Sequence, residues 1–173
     1  MLRWVYSLKL KGECMSKTLI AYMSVSGQTK CLAKNLATAA HNANLYEIKP
    51  KAPYTSDDLN YRNKESRCTI EMTVPGWRPE LAEHIDTSAY DTIFVGFPIW
   101  WGKAPTLVNS FLESIDTKEK RIALFATSGG SPVTLSWRFL KDSAPEAEFI
   151  GQKRFDSHTS VEDLKTWLEE IGY

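Results

Sequence analysis

Thr92-Ile93-Phe94-Val95-Gly96-Phe97, followed at once by Pro98-Ile99-Trp100-Trp101-Gly102-Lys103-Ala104-Pro105, decides the fold. The first part is an uncharged run of β-branched and aromatic residues. Such a run, with no polar alternation, reads as a strand buried on both faces, as in parallel sheets covered by helices on either side. Pro98 ends it, residues 98–105 read as a loop, and Leu107, Val108, Phe111, Leu112 and Ile115 then recur at helical spacing.

The same alternation extends in both directions. Upstream, Thr18 to Met23 is a second compact apolar run that ends in the polar turn Ser24-Val25-Ser26-Gly27-Gln28. Cys31, Leu32, Leu36 and Ala39 follow at helical spacing, which places Cys31 in a helix against the core, and Leu45 to Ile48 is a strand closed by Pro50. A long polar stretch, Lys51 to Pro79, comes next, with helical character returning at Glu80 to Ile85. Downstream, Arg121 to Ala126 is a strand, Thr127 to Pro132 a glycine-rich loop, and Leu135 to Leu140 part of a helix. Glu148 to Phe155 is the fifth strand and Val161 to Ile171 the closing amphipathic helix, with Trp137 and Trp167 expected to pack helices onto the sheet. Strands alternating with helices predict a doubly wound three-layer α/β sandwich, whose ligand sits where the strand order reverses.

The bulk numbers agree with one domain and one site. The chain has 173 residues, with 21 Lys plus Arg against 21 Asp plus Glu, so no basic surface points to nucleic acid or to an anionic membrane. Cys14, Cys31 and Cys68 are widely spaced, with no Cys-x-x-Cys pair and no histidine cluster, which argues against a metal site or disulfide framework and for a reducing cytoplasm. No apolar run approaches the ~20 residues that span a bilayer. Residues 1–14 lack a continuous apolar core and a small-residue cleavage site, so they do not read as a signal peptide. Met15 directly precedes the first clear strand, so residues 1–14 are expected to be an upstream extension or, from the alternation of Leu2, Trp4, Tyr6, Leu8 and Leu10, an edge strand. The domain proper is residues 15–173.

Three loops carry the chemistry, and each follows a strand of a parallel sheet, so all three emerge at one edge. Ser24-Val25-Ser26-Gly27-Gln28-Thr29 places hydroxyls and free amides around a glycine at a helix start, where the helix dipole favours an anion. It has neither the Lys-Ser/Thr end of a P-loop nor Gly-x-Gly-x-x-Gly, so nucleoside triphosphates and dinucleotides fit poorly. A plainly capped helix would use the same residue types. Pro98-Ile99-Trp100-Trp101-Gly102 offers two indoles, whose flat faces can stack on a conjugated ring or close the core. Thr127-Ser128-Gly129-Gly130 offers backbone donors with little side-chain bulk, and would equally make a plain turn.

Together the three loops resemble those of the flavodoxin family, in particular a branch with a Ser-x-Ser-Gly-x-Thr loop and a Pro-Ile-Trp-Trp-Gly loop. The likeness runs from about Met15 to the C-terminus and includes Trp167-Leu168-Glu169. It implies a flavodoxin-like α/β/α sandwich around a five-stranded parallel sheet in order 2-1-3-4-5, with non-covalently bound FMN as cofactor and electron transfer as function. By the same resemblance, Ser24, Val25, Ser26, Gly27, Gln28 and Thr29 hold the phosphate, and Pro98, Ile99, Trp100 and Trp101 wall the flavin ring. Thr127, Ser128, Gly129 and Gly130 meet its polar edge. Gly102 is placed to let a peptide reorient beside the ring, since glycine tolerates positive φ.

The partner implied is a redox protein, either reductase or acceptor. The chain departs from the strongly acidic electron shuttles in having no formal net charge, and from short-chain members in its Lys51 to Pro79 stretch. That stretch carries Tyr54, Tyr61, Arg62, Arg67 and Arg78, and could fold over the flavin or lie solvated on the surface. These departures keep open an NAD(P)H-dependent quinone or small-molecule reductase. A serine esterase would use Ser24 or Ser26 with Asp156 and His158, but no nucleophile elbow is present. A phosphoacceptor domain needs acidic residues where this chain has Ser24 and Pro98. A domain that has lost its cofactor would not need both the cradle and the paired indoles.

Overall fold

The computed structural model describes residues 17–41 and 43–173. The expectation for residues 1–14 lies outside these. Five strands, β1 (Thr18–Tyr22), β2 (Ala43–Glu47), β3 (Thr92–Pro98), β4 (Arg121–Thr127) and β5 (Glu148–Phe155), form one parallel sheet in the order β2-β1-β3-β4-β5. The helices are α1 (Gln28–Ala39), α2 (Arg67–Thr73), α3 (Thr106–Glu113), α4 (Thr134–Lys141) and α5 (Val161–Glu170).

Strand geometry explains the layers. Successive side chains point to opposite faces, so Ile20, Tyr22, Phe94, Ala123 and Phe125 pack under Leu32 and Leu36 of α1 and Leu164 and Trp167 of α5. Leu19, Ala21, Ile93, Val95, Phe97, Ile122 and Leu124 face the other way, against Leu107, Val108 and Phe111 of α3 and Leu140 of α4. The first six residues of β3 are buried, as their unbroken apolar character requires. Each buried Leu, Ile or Phe contributes about 1.5–3 kcal/mol relative to exposure. Gly96 lets the two faces close up: a Cβ there would overlap the Phe125 ring of the neighbouring strand.

Several expectations are corrected. Residues 80–85 are not helical. Leu81 makes an antiparallel bridge with Pro50, secured by Lys51 N–H to Glu80 O at 2.8 Å and Ala82 N–H to Lys49 O at 2.9 Å. The spacing of Leu81, Ala82 and Ile85 imitates a helical face, but only Leu81 is buried. A helix is found instead at Arg67–Thr73, inside the stretch that reads as polar. Trp137 is 39% exposed, because Ser136 and Leu140 form the inner face of α4. Trp167 does pack on the sheet, edge-on to Phe94 and Phe155. Cys31 is in α1 but half-buried, one position off the stripe of Leu32, Ala33 and Leu36.

Candidate functional site

In this strand order the connections after β1 and β3 leave in opposite directions, one to α1 and the other to α3, which opens a crevice at the carboxyl edge of the sheet. A cleft of about 450 Å³ lies there. Its walls are Val25, Ser26 and Thr29 from the first loop and Pro98, Ile99, Trp100 and Trp101 from the second.

The first loop is built to leave donors free. Gly27 takes φ 86°, a left-handed conformation that turns the chain sharply into α1. Ser24 Oγ accepts from the Lys30 amide at 3.1 Å, and Cys31 N–H from the same turn donates to Gly27 O at 3.0 Å. Among the described residues no acceptor is bonded to the amides of Val25, Ser26, Gly27, Gln28 and Thr29, nor to the Ser26 hydroxyl. These groups sit at the positive end of the α1 dipole, an arrangement suited to an anion. The cation nearest in sequence, Lys30, is committed elsewhere: its bond to Glu47 at 3.2 Å raises its pKa. Among the described residues none that lines the cleft is charged, so an anion there would meet neutral donors.

The second loop is a tight two-residue turn. Trp100 N–H donates to Lys103 O at 2.9 Å and Lys103 N–H to Trp100 O at 3.1 Å. Trp101 at φ 49° and Gly102 at φ 76° are both left-handed, as a turn of the I′ type demands. Glycine is at ease there and tryptophan is not. Trp101 is 42% exposed at the mouth of the cleft, while Trp100 is half-buried. Lys103 anchors the turn from behind, its ammonium 4.1 Å from the centre of the Phe139 ring.

The third loop is joined to the other two by its first residue. Thr127 Oγ1 and Thr29 Oγ1 share a buried hydrogen bond of 2.8 Å, and Ile99 N–H donates to Thr127 O at 2.9 Å. Thr127 therefore ties the loops together. Ser128 turns back on itself, donating to Ser131 O at 2.7 Å and accepting from the Gly130 amide at 3.2 Å. Ser128, Gly129 and Gly130 stand beside the cleft and do not line it, and Gly129 and Gly130 face open space. Of the first loop, Ser24 lines an adjoining cleft of about 310 Å³, and Gly27 and Gln28 form the α1 start.

The long polar stretch supplies the opposite wall. Leu59, Tyr61 and Cys68 line the same cleft. Leu59 and Cys68 give no sign in the sequence of belonging to a site, whereas Tyr61 stands out as an exposed aromatic in a polar segment. Behind this wall Glu71, only 2% exposed, is bonded to Arg67 Nε at 2.6 Å and accepts from the Tyr54 hydroxyl at 2.6 Å. Burial and then the Glu71 bond push the Tyr54 hydroxyl pKa far above its ordinary value.

The geometry gives no support to a hydrolytic reading. Ser24 is occupied in holding the start of α1, and Asp156 pairs with Arg154 at 3.5 Å in a solvated loop after β5. Among the described residues no hydrogen bond joins His158 to either serine, no helix is long and apolar enough to cross a membrane, and no group of three or more His, Cys, Asp or Glu could hold a metal ion.

Comparison with known proteins agrees with this architecture. No curated protein matches the chain. Among solved structures, a protein of Bacteroides eggerthii assigned as a flavoprotein is 38% identical, with TM-score 0.86, over 91% of this chain and 99% of its own. A Bacteroides uniformis protein with the same assignment is 37% identical, with TM-score 0.84, over 89% and 98%. A Lactobacillus acidophilus flavoprotein, crystallised in complex with FMN, is 28% identical, with TM-score 0.69, over 80% and 93%. The family model for flavodoxin matches residues 17–171, from the start of β1 to the end of α5. By that match and by its sheet order, the chain belongs to the flavodoxin family.

Proposed function

We propose that this protein binds FMN non-covalently at the carboxyl edge of its sheet and relays electrons through it in the cytoplasm. One observation carries the reading: a single cleft has unbonded amides and the unbonded Ser26 hydroxyl at one end and the paired-indole loop at the other. The residues fit the group. A phosphate needs several donors and tolerates neutral ones at a helix start, and a flat ring needs apolar walls about as far apart as a cleft of roughly 300–1,000 Å³ provides. The FMN-bound Lactobacillus acidophilus relative supports the same cofactor.

When bound, FMN supplies a ring that takes up and releases electrons. The chain's own residues do the rest. Ser26, Gly27, Gln28 and Thr29 bind the phosphate and fix its position, and Ser24 holds the turn that presents them. Pro98, Ile99 and Trp100 exclude water from the ring, and Trp101 stands at the mouth, where a partner meets it. Gly102, already left-handed, leaves its adjoining peptide free to turn a donor or an acceptor toward the ring.

A reductase is the second reading, with NAD(P)H as electron donor and a quinone or other small molecule as acceptor. It is favoured by the wall of Leu59, Tyr61 and Cys68, which extends the cleft beyond the two loops. The deciding experiment is a visible spectrum of the purified protein, then titration of apoprotein with FMN, riboflavin and FAD. Preference for FMN over riboflavin is expected, and equal affinity would remove the phosphate cradle. Steady-state NAD(P)H oxidation by the holoprotein separates reductase from carrier, since a carrier needs a separate reductase.

A further inference from the structure

The group behind the cleft is unusual in composition, a buried Glu71 between half-buried Tyr54 and Arg67. Glu71 has both carboxylate oxygens bonded, one to Arg67 Nε and one to the Tyr54 hydroxyl, each at 2.6 Å. Arg67 Nη1 donates to Ala52 O at 2.6 Å, and its guanidinium lies 4.3 Å from the centre of the Tyr54 ring. The Tyr54 ring meets the Trp100 indole edge-on, with centroids 5.4 Å apart and planes at 83°. The chain of contacts thus runs from Ala52 through Arg67, Glu71 and Tyr54 to an indole that lines the cleft.

Burying the carboxylate of such a pair adds little stability, because desolvation offsets much of the attraction and apolar side chains of the same volume serve as well. What it does supply is a single geometry: a carboxylate with two directional partners allows one arrangement where packed leucines allow several. Residues 51–79 need such a device, since Cys68, Met72 and Pro79 are the only apolar residues buried among them.

We propose that Tyr54, Arg67 and Glu71 are positioning residues, a strut anchored on the buried Glu71 that sets where the Trp100 indole stands and thereby fixes the ring-binding wall of the cleft. The proposal rests on the flavin reading for its consequence and on the Trp100 contact for its geometry. The Trp100 turn is already held through its backbone by Lys103 and Thr127. The strut holds the side chain, which those bonds leave free to rotate.

The test uses the full chain labelled with 5-fluorotryptophan, the Trp100 resonance being identified by Trp100→Phe. Tyr54→Phe keeps the ring against the indole and removes only the hydroxyl that Glu71 holds. It should shift or broaden the Trp100 fluorine signal in the apoprotein and weaken FMN and riboflavin binding alike, each by about tenfold. Glu71→Gln should do the same to a greater degree, and if it does not fold, Tyr54→Phe carries the test. Ser26→Ala is the contrast, weakening FMN while leaving riboflavin unchanged. A purely structural role predicts a lower melting temperature with the Trp100 signal and both flavin affinities unaltered, and that result overturns the proposal. If the wild-type apoprotein binds neither flavin, the cofactor reading fails by itself, and the Trp100 signal alone then decides whether the strut exists.

Discussion

The hydroxyl pair Thr29–Thr127 is the sharpest test of whether the first and third loops are held together as described. Both residues are almost fully buried, at 1% and 4% exposure, and their oxygens are 2.8 Å apart. Replacing either with valine preserves shape and leaves one hydroxyl without its partner. A buried polar group stripped of its partner costs about 1–3 kcal/mol, whereas removing both partners of a pair is close to neutral. Thr29→Val and Thr127→Val should therefore each destabilise by about 1.5 kcal/mol, and the double variant by no more than either alone, a coupling of about 1.5–3 kcal/mol. With a urea slope of about 2 kcal/mol per molar, each single variant moves the midpoint down by roughly 0.7 M. Urea melts of the four proteins, followed by circular dichroism at fixed apoprotein concentration, measure this directly. Additivity within about 0.5 kcal/mol would show that the two hydroxyls do not depend on each other, and the account of the loops as one joined rim would be wrong.

Three further outcomes are expected. Gly96→Ala forces the Phe125 ring to move and should cost about 1–3 kcal/mol, read as a lower melting temperature that Phe125→Leu partly restores. Gly102→Val places a β-branched residue at φ 76° and should change the midpoint potential of bound FMN, measured by spectroelectrochemical titration; unaltered potentials would deny Gly102 its role beside the ring. The Tyr54 hydroxyl is held protonated in the folded protein, so its contribution to stability is complete below its ordinary pKa of 10.0 and is lost as pH rises beyond it. Urea midpoints of the wild type should fall above pH 10 more steeply than those of Tyr54→Phe, and parallel curves would contradict the assignment.

What could be read from the sequence was whatever a short window determines. β3 is legible because a continuous run of apolar and β-branched residues has one economical arrangement in a covered sheet, and β5 spans the expected Glu148 to Phe155 although Gln152, Lys153 and Arg154 interrupt its apolar character. That the Gly27 turn and the two indoles share one edge follows from each loop succeeding a strand of a parallel sheet. The 51–79 stretch was opaque for the opposite reason. α2 has seven residues and buries a glutamate, which any window reads as solvent-facing even with Arg67 one turn away, and the second partner that makes this tolerable, Tyr54, lies 17 residues away. Thr127 was legible as part of a loop near the ligand. That its hydroxyl and carbonyl are spent on Thr29 and Ile99 depends on the distance between loops, which spacing along the chain does not encode.

The backbone of Trp101 has a consequence for how this protein can vary. Asparagine or glycine would rest at that φ without strain, whereas an indole there forgoes on the order of 1 kcal/mol or more. Random substitution and selection for thermal robustness alone would thus tend to replace the tryptophan. Its presence at the lip of the cleft marks a place where display of a broad aromatic face to the outside has outweighed repose of the chain, and stabilising changes made there should be screened first for what they do to FMN binding.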